Sequence, residues 1–185
     1  MKTIGASFLL LIASAGWATS TPTVVSAAYN PATDHTYFLL STSDWLSAQS
    51  AAVSLGGNLV TINNQVENDW LFNQWGHTRT LLIGLTDAGH EGTFQWASGE
   101  AFGFSKWSSG EPNNGVGWGQ EPENYVYMYA DGWGTPGTWN DYSGSSDVSQ
   151  APIFGVVEVP EPSAGSLLWI AGIVLCNRLR KHASK

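Results

Sequence analysis

The chain has 185 residues, with 15 acidic residues against 7 basic ones and a formal net charge of −8. This length suggests one domain plus processing segments rather than two domains. Over residues 28–159, the only basic residues are Arg79 and Lys106. So little positive charge cannot neutralise phosphates, and this excludes nucleic acid as a partner. The same lack of basic residues argues against binding to an anionic membrane surface. The acidity itself permits a cation site.

The N-terminus has the layout of a secretory signal peptide. Lys2 precedes an apolar run over residues 4–13, and small and polar residues then lead to Val25-Ser26-Ala27. A charged start, an apolar stretch and a small-x-small site are the parts of such a signal. A buried N-terminal helix is the alternative, but the run has no polar face. We therefore expect residues 1–27 to direct export and residues 28–159 to form the folded domain.

The C-terminus has three parts in order: Pro160-Glu161-Pro162, an apolar run over residues 164–176, and a basic tail. The run is shorter than the roughly 20 residues that a spanning helix needs. Residues 160–185 thus resemble the PEP-CTERM sorting signal of Gram-negative bacteria. The resemblance implies transient inner-membrane association, cleavage by an exosortase and a location at the cell surface or in the extracellular matrix. The alternative is an ordinary membrane anchor, which would also leave the domain outside the cytoplasm.

The only cysteine, Cys176, lies inside this C-terminal segment. The domain therefore has no disulfide, and its stability must come from its core and from any bound metal.

The first half of the domain predicts alternating strands and helices. Residues 35–40 form a first strand, and Ser43 caps a helix that Gly56-Gly57 ends. The helix would bury Trp45, Ala48, Ala52 and Leu55. Residues 59–62 form a short strand. Asn64 with Glu67 predicts a capping-box start for a second helix, which would bury Val66, Trp70 and Leu71 and end at Gly76.

The second half predicts only strands and loops. The strands are expected over residues 81–86, 94–96, 125–130, 138–141 and 153–159, and a long loop over residues 99–120. Two early helices followed by short antiparallel strands predict an α+β fold. A loop this long within a compact domain is usually functional.

Three short motifs in this half carry oxygen ligands: Glu111-Pro112-Asn113, Glu123-Asn124 and Trp139-Asn140-Asp141. Carboxylates and amides without histidine or cysteine suit a hard cation rather than zinc or copper. Calcium, with six to eight oxygens at irregular angles, fits mixed loop ligands better than magnesium does. Pro112 allows a cis bond that would turn its neighbours toward one point, although a trans proline in a surface turn is the simpler interpretation.

Leu82-Ile83-Gly84-Leu85, Glu-Pro-Asn and Trp-Asn-Asp occur in an order that resembles the C-type lectin domain. The Trp45 helix, Gly56-Gly57-Asn58-Leu59 and Glu67 before Trp70-Leu71 agree with it, and the similarity covers residues 29–159. The resemblance implies a C-type-lectin-like fold with a principal calcium site, whose ligands would also bind two adjacent sugar hydroxyls: Glu111, Asn113, Glu123, Asn140 and Asp141. The Glu-Pro-Asn motif implies sugars of the mannose and glucose type. The chain departs from the family in lacking its disulfide cysteines.

The resemblance also implies an auxiliary calcium site on Asp87, Glu91, Asn114 and Asn124. Asn114 and Asn124 stand where carboxylates are common, so this site would be weaker or empty. A solvated turn before Gly92 explains Asp87 and Glu91 equally well.

Three functions remain open at this point. The first is a calcium-dependent lectin that binds glycans, and the second is an adhesion or matrix module with structural calcium and no sugar. The third is a glycosidase that uses Glu111, Glu121 or Glu123, but no nucleophile, zinc or phosphate motif supports an enzyme. Trp118 or Trp133 could extend a sugar site by stacking.

Overall fold

The computed structural model describes residues 21–115, 122–132, 134–144 and 152–160. Those residues form two α-helices, one π-helical turn and a mixed sheet. In chain order the elements are β1 Val24–Asn30, β2 His35–Thr42, α1 Trp45–Ser54, β3 Asn58–Leu59, α2 Gln65–Leu71, the π-helical turn Phe72–Gly76, β4 Thr80–Thr86, β5 Gln95–Trp96, β6 Tyr125–Met128, β7 Trp139–Tyr142 and β8 Ile153–Pro160.

The strands lie in the order β1-β2-β8-β4-β6-β7, with β3 also paired to β8 and β5 to β4. This confirms the α+β prediction, although the sheet is mixed rather than only antiparallel, because β4 and β8 run parallel. Every residue of β4 is buried, as expected for a strand covered on both faces. Gly84 is required in this strand, since a Cβ there would lie 2.4 Å from the carbonyl oxygen of Leu59.

Strand β1 lies in a part of the chain for which the sequence predicted no strand. It pairs antiparallel with β2, from Val24 opposite Leu40 to Asn30 opposite His35. Cleavage after Ala27, as the sequence predicts, would leave only residues 28–30 of this strand. The rest of the predicted signal peptide, residues 1–20, and residues 161–185 of the predicted sorting segment lie outside the described residues.

Both helices begin at side-chain caps. Asp44, rather than the predicted Ser43, caps α1 by accepting a hydrogen bond from the Ser47 amide. Asn64 caps α2 as predicted, accepting from the Glu67 amide. The predicted burial of Val66 is wrong, because this side chain is 69% exposed.

The α2 face that enters the core is unexpectedly polar. Glu67 and Asn68 are buried there beside Leu71, and each has hydrogen-bond partners in the core. The Glu67 carboxylate also bonds the amide of Asn63 rather than that of the cap residue. Tyr37 and Gly137, which lie far from α2 in sequence, thus bond the polar residues on the helix face that turns inward.

The core consists of two apolar clusters on opposite faces of the sheet. Neighbouring residues alternate between them, as the two-residue period of a strand requires. Val126 and Met128 of β6 join one cluster, while Tyr127 joins the other. Helix α1 covers the second cluster and is fixed to β4 by the Trp45 indole, which donates to the Ile83 carbonyl oxygen at 2.8 Å. In the described part of the chain, no helix is long and apolar enough to cross a bilayer.

Candidate functional site

The candidate site lies where the long loop approaches β7. A parallel bridge joins Trp107 to Trp139. The Ser108 amide donates to the Trp139 carbonyl oxygen, and the Trp139 amide donates to that of Lys106. These contacts extend the sheet by a short stretch of loop. They bring the Glu111 segment beside the end of β7, where Asp141 lies.

Helix α2 holds β7 from the other side. Asn68 is fully buried, and its Oδ1 accepts from the Trp139 indole at 2.8 Å. The Asn68 amide group donates to the Gly137 carbonyl oxygen at 3.1 Å. One asparagine thus satisfies polar groups on both sides of the turn into β7, which fixes the strand that carries Asn140 and Asp141.

Backbone amides of the loop hold the predicted ligands in place. Asp141 is almost fully buried, and its two carboxylate oxygens accept from the amides of Asn113 and Asn114 at 3.1 and 2.8 Å. The Gly115 amide donates to both Asn113 Oδ1 and Glu123 Oε2, each at 2.8 Å. The loop amides therefore orient these carboxylates toward one another.

Glu111 completes this group. Its Oε2 accepts from the Asn113 side-chain amide at 2.5 Å, and the peptide bond between Glu111 and Pro112 is cis. The sequence left both proline isomers open. The structure therefore brings together the predicted principal ligands Glu111, Asn113, Glu123 and Asp141, with Asn114 bonded to the same group.

The three carboxylates repel one another. Burial and the nearby charges of Asp141 and Glu123 raise the pKa of Glu111 to about 7. Burial, followed by the charge of Asp141, also raises the pKa of Glu123. Neither basic residue of the described segments neutralises this group, since Lys106 pairs with Asp69 and Arg79 lies over the Phe154 ring. The site is therefore short of positive charge.

Asn140 presents an unpaired oxygen. Its Nδ2 donates to the Tyr127 hydroxyl at 3.0 Å and to the Asp141 carbonyl oxygen at 2.7 Å. Its Oδ1 is buried and has no hydrogen-bond partner among the residues that the structure describes. A buried acceptor without a donor is costly, and in native proteins a bound ion can satisfy such an atom.

The predicted auxiliary ligands are less well assembled. Asp87 is buried, with one oxygen accepting from the Gly92 amide at 2.8 Å and the other lacking a partner in the described chain. Glu91 is exposed on the turn that follows. Asn114 Oδ1 accepts from the Glu123 amide, and the backbone oxygen of Asn124 accepts from the Thr86 hydroxyl. Asn114 is therefore engaged with the principal group.

The donor chemistry fits a calcium ion. Every candidate ligand offers oxygen, as this hard cation prefers. In the described segments no three His, Cys, Asp or Glu side chains are arranged to hold a metal by themselves. The candidate set instead depends on the amides of Asn113 and Asn140 in addition to its carboxylates.

Two contributions to the site were missed from the sequence. The loop amides that orient the carboxylates leave no trace in side-chain identity. The Tyr127 hydroxyl could have been found only from the register of β6 and β7, which places Tyr127 opposite Asn140. Trp118, Trp133 and Glu121, which the sequence suggested as possible site residues, lie outside the described residues.

Proteins with similar sequences include a receptor and a lectin. The low affinity immunoglobulin epsilon Fc receptor of Mus musculus is 38% identical over 105 residues, which are 57% of this chain and 29% of the receptor. Lectin BRA-3 of Megabalanus rosa is 42% identical over 72 residues, 38% of this chain and 44% of that protein. The chain therefore spans less than half the length of these relatives.

Solved structures of C-type lectin domains have the same fold as this chain. The cow CD23 carbohydrate-recognition domain, determined in the presence of a GlcNAc2Man3 oligosaccharide, superposes with a TM-score of 0.58 at 27% identity. The match covers 70% of this chain and 91% of that domain. The C-type lectin CEL-I of Cucumaria echinata gives a TM-score of 0.57 at 26% identity and covers 77% of this chain and 97% of the other.

The sequence model of the protein family described as the lectin C-type domain matches residues 41–149. This range contains both helices, the Glu-Pro-Asn loop and the Trp-Asn-Asp strand. The chain belongs to the C-type lectin domain family.

Proposed function

We propose that this protein is an exported, calcium-dependent carbohydrate-binding protein. One observation carries the proposal: the Asn140 side-chain oxygen is buried and unpaired, and Asp141, the next residue of β7, belongs to a group of carboxylates that has no cationic partner in the described chain. Glu111, Asn113, Glu123, Asn140 and Asp141 would hold the ion. Asp87, Glu91, Asn114 and Asn124 would form at most a weaker auxiliary site, because Asn114 is bonded to Glu123.

Calcium, when bound, would supply positive charge and free coordination positions for two adjacent sugar hydroxyls. The residues of the chain would supply the directional contacts. Carboxylate oxygens of Glu111 and Glu123 can accept from sugar hydroxyls, and the Asn113 side chain can donate, because its bond to Glu111 uses one of its two amide hydrogens. Pairing acceptors with a donor in this way favours a particular arrangement of hydroxyls.

The sugar class proposed is that of mannose, glucose and N-acetylglucosamine. This choice depends on the Glu111-Pro112-Asn113 motif, since the relatives are named for different sugars. The cow CD23 domain was solved with a mannose-containing oligosaccharide, whereas nattectin of Thalassophryne nattereri is a galactose-specific lectin. The relatives therefore support carbohydrate binding as a class and leave the choice of sugar to the motif.

Calorimetric titration tests the proposal on the full-length chain. Calcium is added first, then methyl α-mannoside or methyl β-galactoside, each with and without a chelator. We expect calcium binding, followed by mannoside binding that the chelator abolishes. Calcium binding without sugar binding would indicate an adhesion or matrix module with structural calcium, and no calcium binding would refute the site.

A matched variant tests the role of the motif. Glu111→Gln with Asn113→Asp exchanges the acceptor and donor positions while keeping side-chain size. We expect this double variant to retain calcium binding and to shift its preference toward galactoside. An unchanged sugar preference in the folded double variant would exclude this loop as the sugar contact.

We also propose that the signal peptide and the PEP-CTERM segment carry the domain to the surface of a Gram-negative cell. Mass spectrometry of both termini after expression with and without an exosortase tests this. We expect an N-terminus near residue 28 in both cases and loss of the C-terminal tail only when the exosortase is present. An N-terminus before Val24 would instead retain the whole of β1, and an intact tail in the presence of the enzyme would refute the sorting proposal.

A further inference from the structure

We propose that Tyr127 is a positioning residue that fixes the side-chain amide of Asn140 with its oxygen free for a cation. This inference rests on the proposed calcium site, because it concerns how one of the proposed ligands is held. Asn140 would contribute its side-chain oxygen to the ion.

The sheet register brings the two side chains together. Tyr127 of β6 lies directly opposite Asn140 of β7 in the antiparallel pair. Residues opposite each other in such a pair project on the same face of the sheet, with Cβ atoms roughly 5 Å apart. The Tyr127 hydroxyl thereby reaches the Asn140 amide nitrogen at 3.0 Å.

The second bond fixes which way the amide points. Asn140 Nδ2 lies 2.7 Å from the backbone carbonyl oxygen of Asp141, and a carbonyl oxygen can only accept. The nitrogen must therefore be on that side. Both amide hydrogens are then used, one by Asp141 and one by Tyr127, and the oxygen remains as the only group of this side chain without a partner in the described chain.

Tyr127 is itself held firmly. The residue is only 8% exposed, and its ring packs edge-on against Tyr129 and Tyr142 at centroid distances of 5.2 and 5.3 Å. Such aromatic contacts add to the stability gained by burial. A hydroxyl on an immobilised ring is a fixed acceptor, so the Asn140 amide cannot rotate without losing a hydrogen bond.

Tyr127→Phe and Tyr142→Phe provide a matched pair for the test. Each removes one hydroxyl from the same aromatic cluster, but the Tyr142 hydroxyl is buried without a hydrogen-bond partner in the described residues. The first readout is the side-chain amide NMR signal of Asn140 in the metal-free full-length protein. The second is the dissociation constant for calcium alone, measured by calorimetry.

We expect Tyr127→Phe to shift the Asn140 amide signals, to speed their hydrogen exchange and to weaken calcium binding about 10-fold, as loss of an outer contact to a metal ligand typically does. Tyr142→Phe should change neither quantity. The inference is wrong if the two variants behave alike, or if Tyr127→Phe leaves the Asn140 signals unchanged.

Two further outcomes are distinguishable. If wild-type protein does not bind calcium, the proposed function fails, and with it the cation role of Asn140, even when the NMR signals show the Tyr127 contact. If Tyr127→Phe does not fold, nuclear Overhauser effects between the Asn140 amide hydrogens and the Tyr127 ring in the wild-type protein decide. Their presence supports the positioning contact and their absence overturns it.

Discussion

Two groups of acidic side chains in this molecule differ in how their charge is accommodated. The loop carboxylates are Glu111, Glu123 and Asp141, and the core carboxylates are Glu67 and Glu158. Both groups are partly or wholly withdrawn from water. They differ in the donors that surround them, and this difference separates a structural network from a candidate binding site.

The core carboxylates are fully engaged within the protein. The buried Tyr37 hydroxyl lies 2.8 Å from Glu67 Oε1 and 3.2 Å from Glu158 Oε1. His35 lies partly buried, with its Nδ1 2.6 Å from Glu158 Oε1. The remaining oxygens accept from backbone amides, that of Asn63 for Glu67 and that of Thr61 for Glu158.

The loop carboxylates have amide donors too, but Glu111 and Asp141 remain in mutual repulsion. The side-chain oxygen of Asn140, the residue before Asp141, has no donor in the described chain. Burial of acidic groups therefore does not identify a cation site. The informative quantities are unsatisfied acceptors and uncompensated charge.

The largest effect on stability should come from breaking the core group. Glu67→Ala would leave the Tyr37 hydroxyl and the Asn63 amide with fewer acceptors, and we expect the free energy of unfolding to fall by about 3 kcal/mol. Urea denaturation would measure this loss. Glu67→Gln, which keeps one acceptor, should cost less, and calcium affinity should be the same in both variants when folded. A large change in affinity would show that the two groups are coupled.

Breaking the loop group should affect metal binding instead. Asp141→Asn keeps the shape of the side chain but removes a charge and one acceptor for the loop amides, so we expect calcium affinity to fall by at least about 100-fold, the largest loss typical of a residue that only supports a ligand. Calorimetry of the metal-free protein would measure it. Asp69→Asn, on the exposed ion pair with Lys106, is a matched control and should bind calcium like the wild type. Similar losses in both would indicate a nonspecific charge effect.

Bound calcium should raise the free energy of unfolding of the wild type by almost as much as Glu67→Ala lowers it. At a calcium concentration 100 times the dissociation constant, we expect about 2.7 kcal/mol of added stability, because the ion binds only the native state. Thermal unfolding with and without a chelator would show it as a shift in Tm. Glu67→Ala should gain the same increment, whereas Asp141→Asn at that calcium concentration should gain almost none. An equal gain in Asp141→Asn would place the ion elsewhere.

The smallest effect should be a pH dependence that originates in the core group. Burial raises the pKa of Glu67 above its usual value of 4.5. The native state then holds this proton more tightly than the unfolded state, so Glu67 makes stability fall as pH rises above about 4.5. We expect the wild type to lose unfolding free energy relative to Glu67→Gln as the pH rises from 4.5 to 7. A difference that is constant with pH would contradict it.

The sequence predicted those parts of the fold that local signals specify. The cap at Asn64 and the apolar run of β4 were recognisable from neighbouring residues alone. Strand β1 was missed because its residues also suit the end of a signal peptide. The burial of Glu67 in place of Val66 could not be predicted, since its partner Tyr37 becomes a neighbour only in the folded chain.

The same distinction holds for the candidate site. The motifs identified Glu111, Asn113, Glu123 and Asp141, and the structure brings these together. The contact between Tyr127 and Asn140 depends on sheet register, and the orientation of the loop carboxylates depends on backbone amides. Neither is specified by the kind of side chain at a position, so neither could be predicted from residue identity.

The position of β8 has a consequence for how the molecule acquires its structure. This strand, the last one among the described residues, lies in the middle of the sheet, between β2 and β4, and pairs His35 with Pro160. Contacts between such distant parts of a chain slow folding, because a large loop must close before they form. The strand order cannot be completed until the last residues of the domain have been made. The chain should therefore remain accessible to chaperones until β8 has emerged, and it should complete its fold only then.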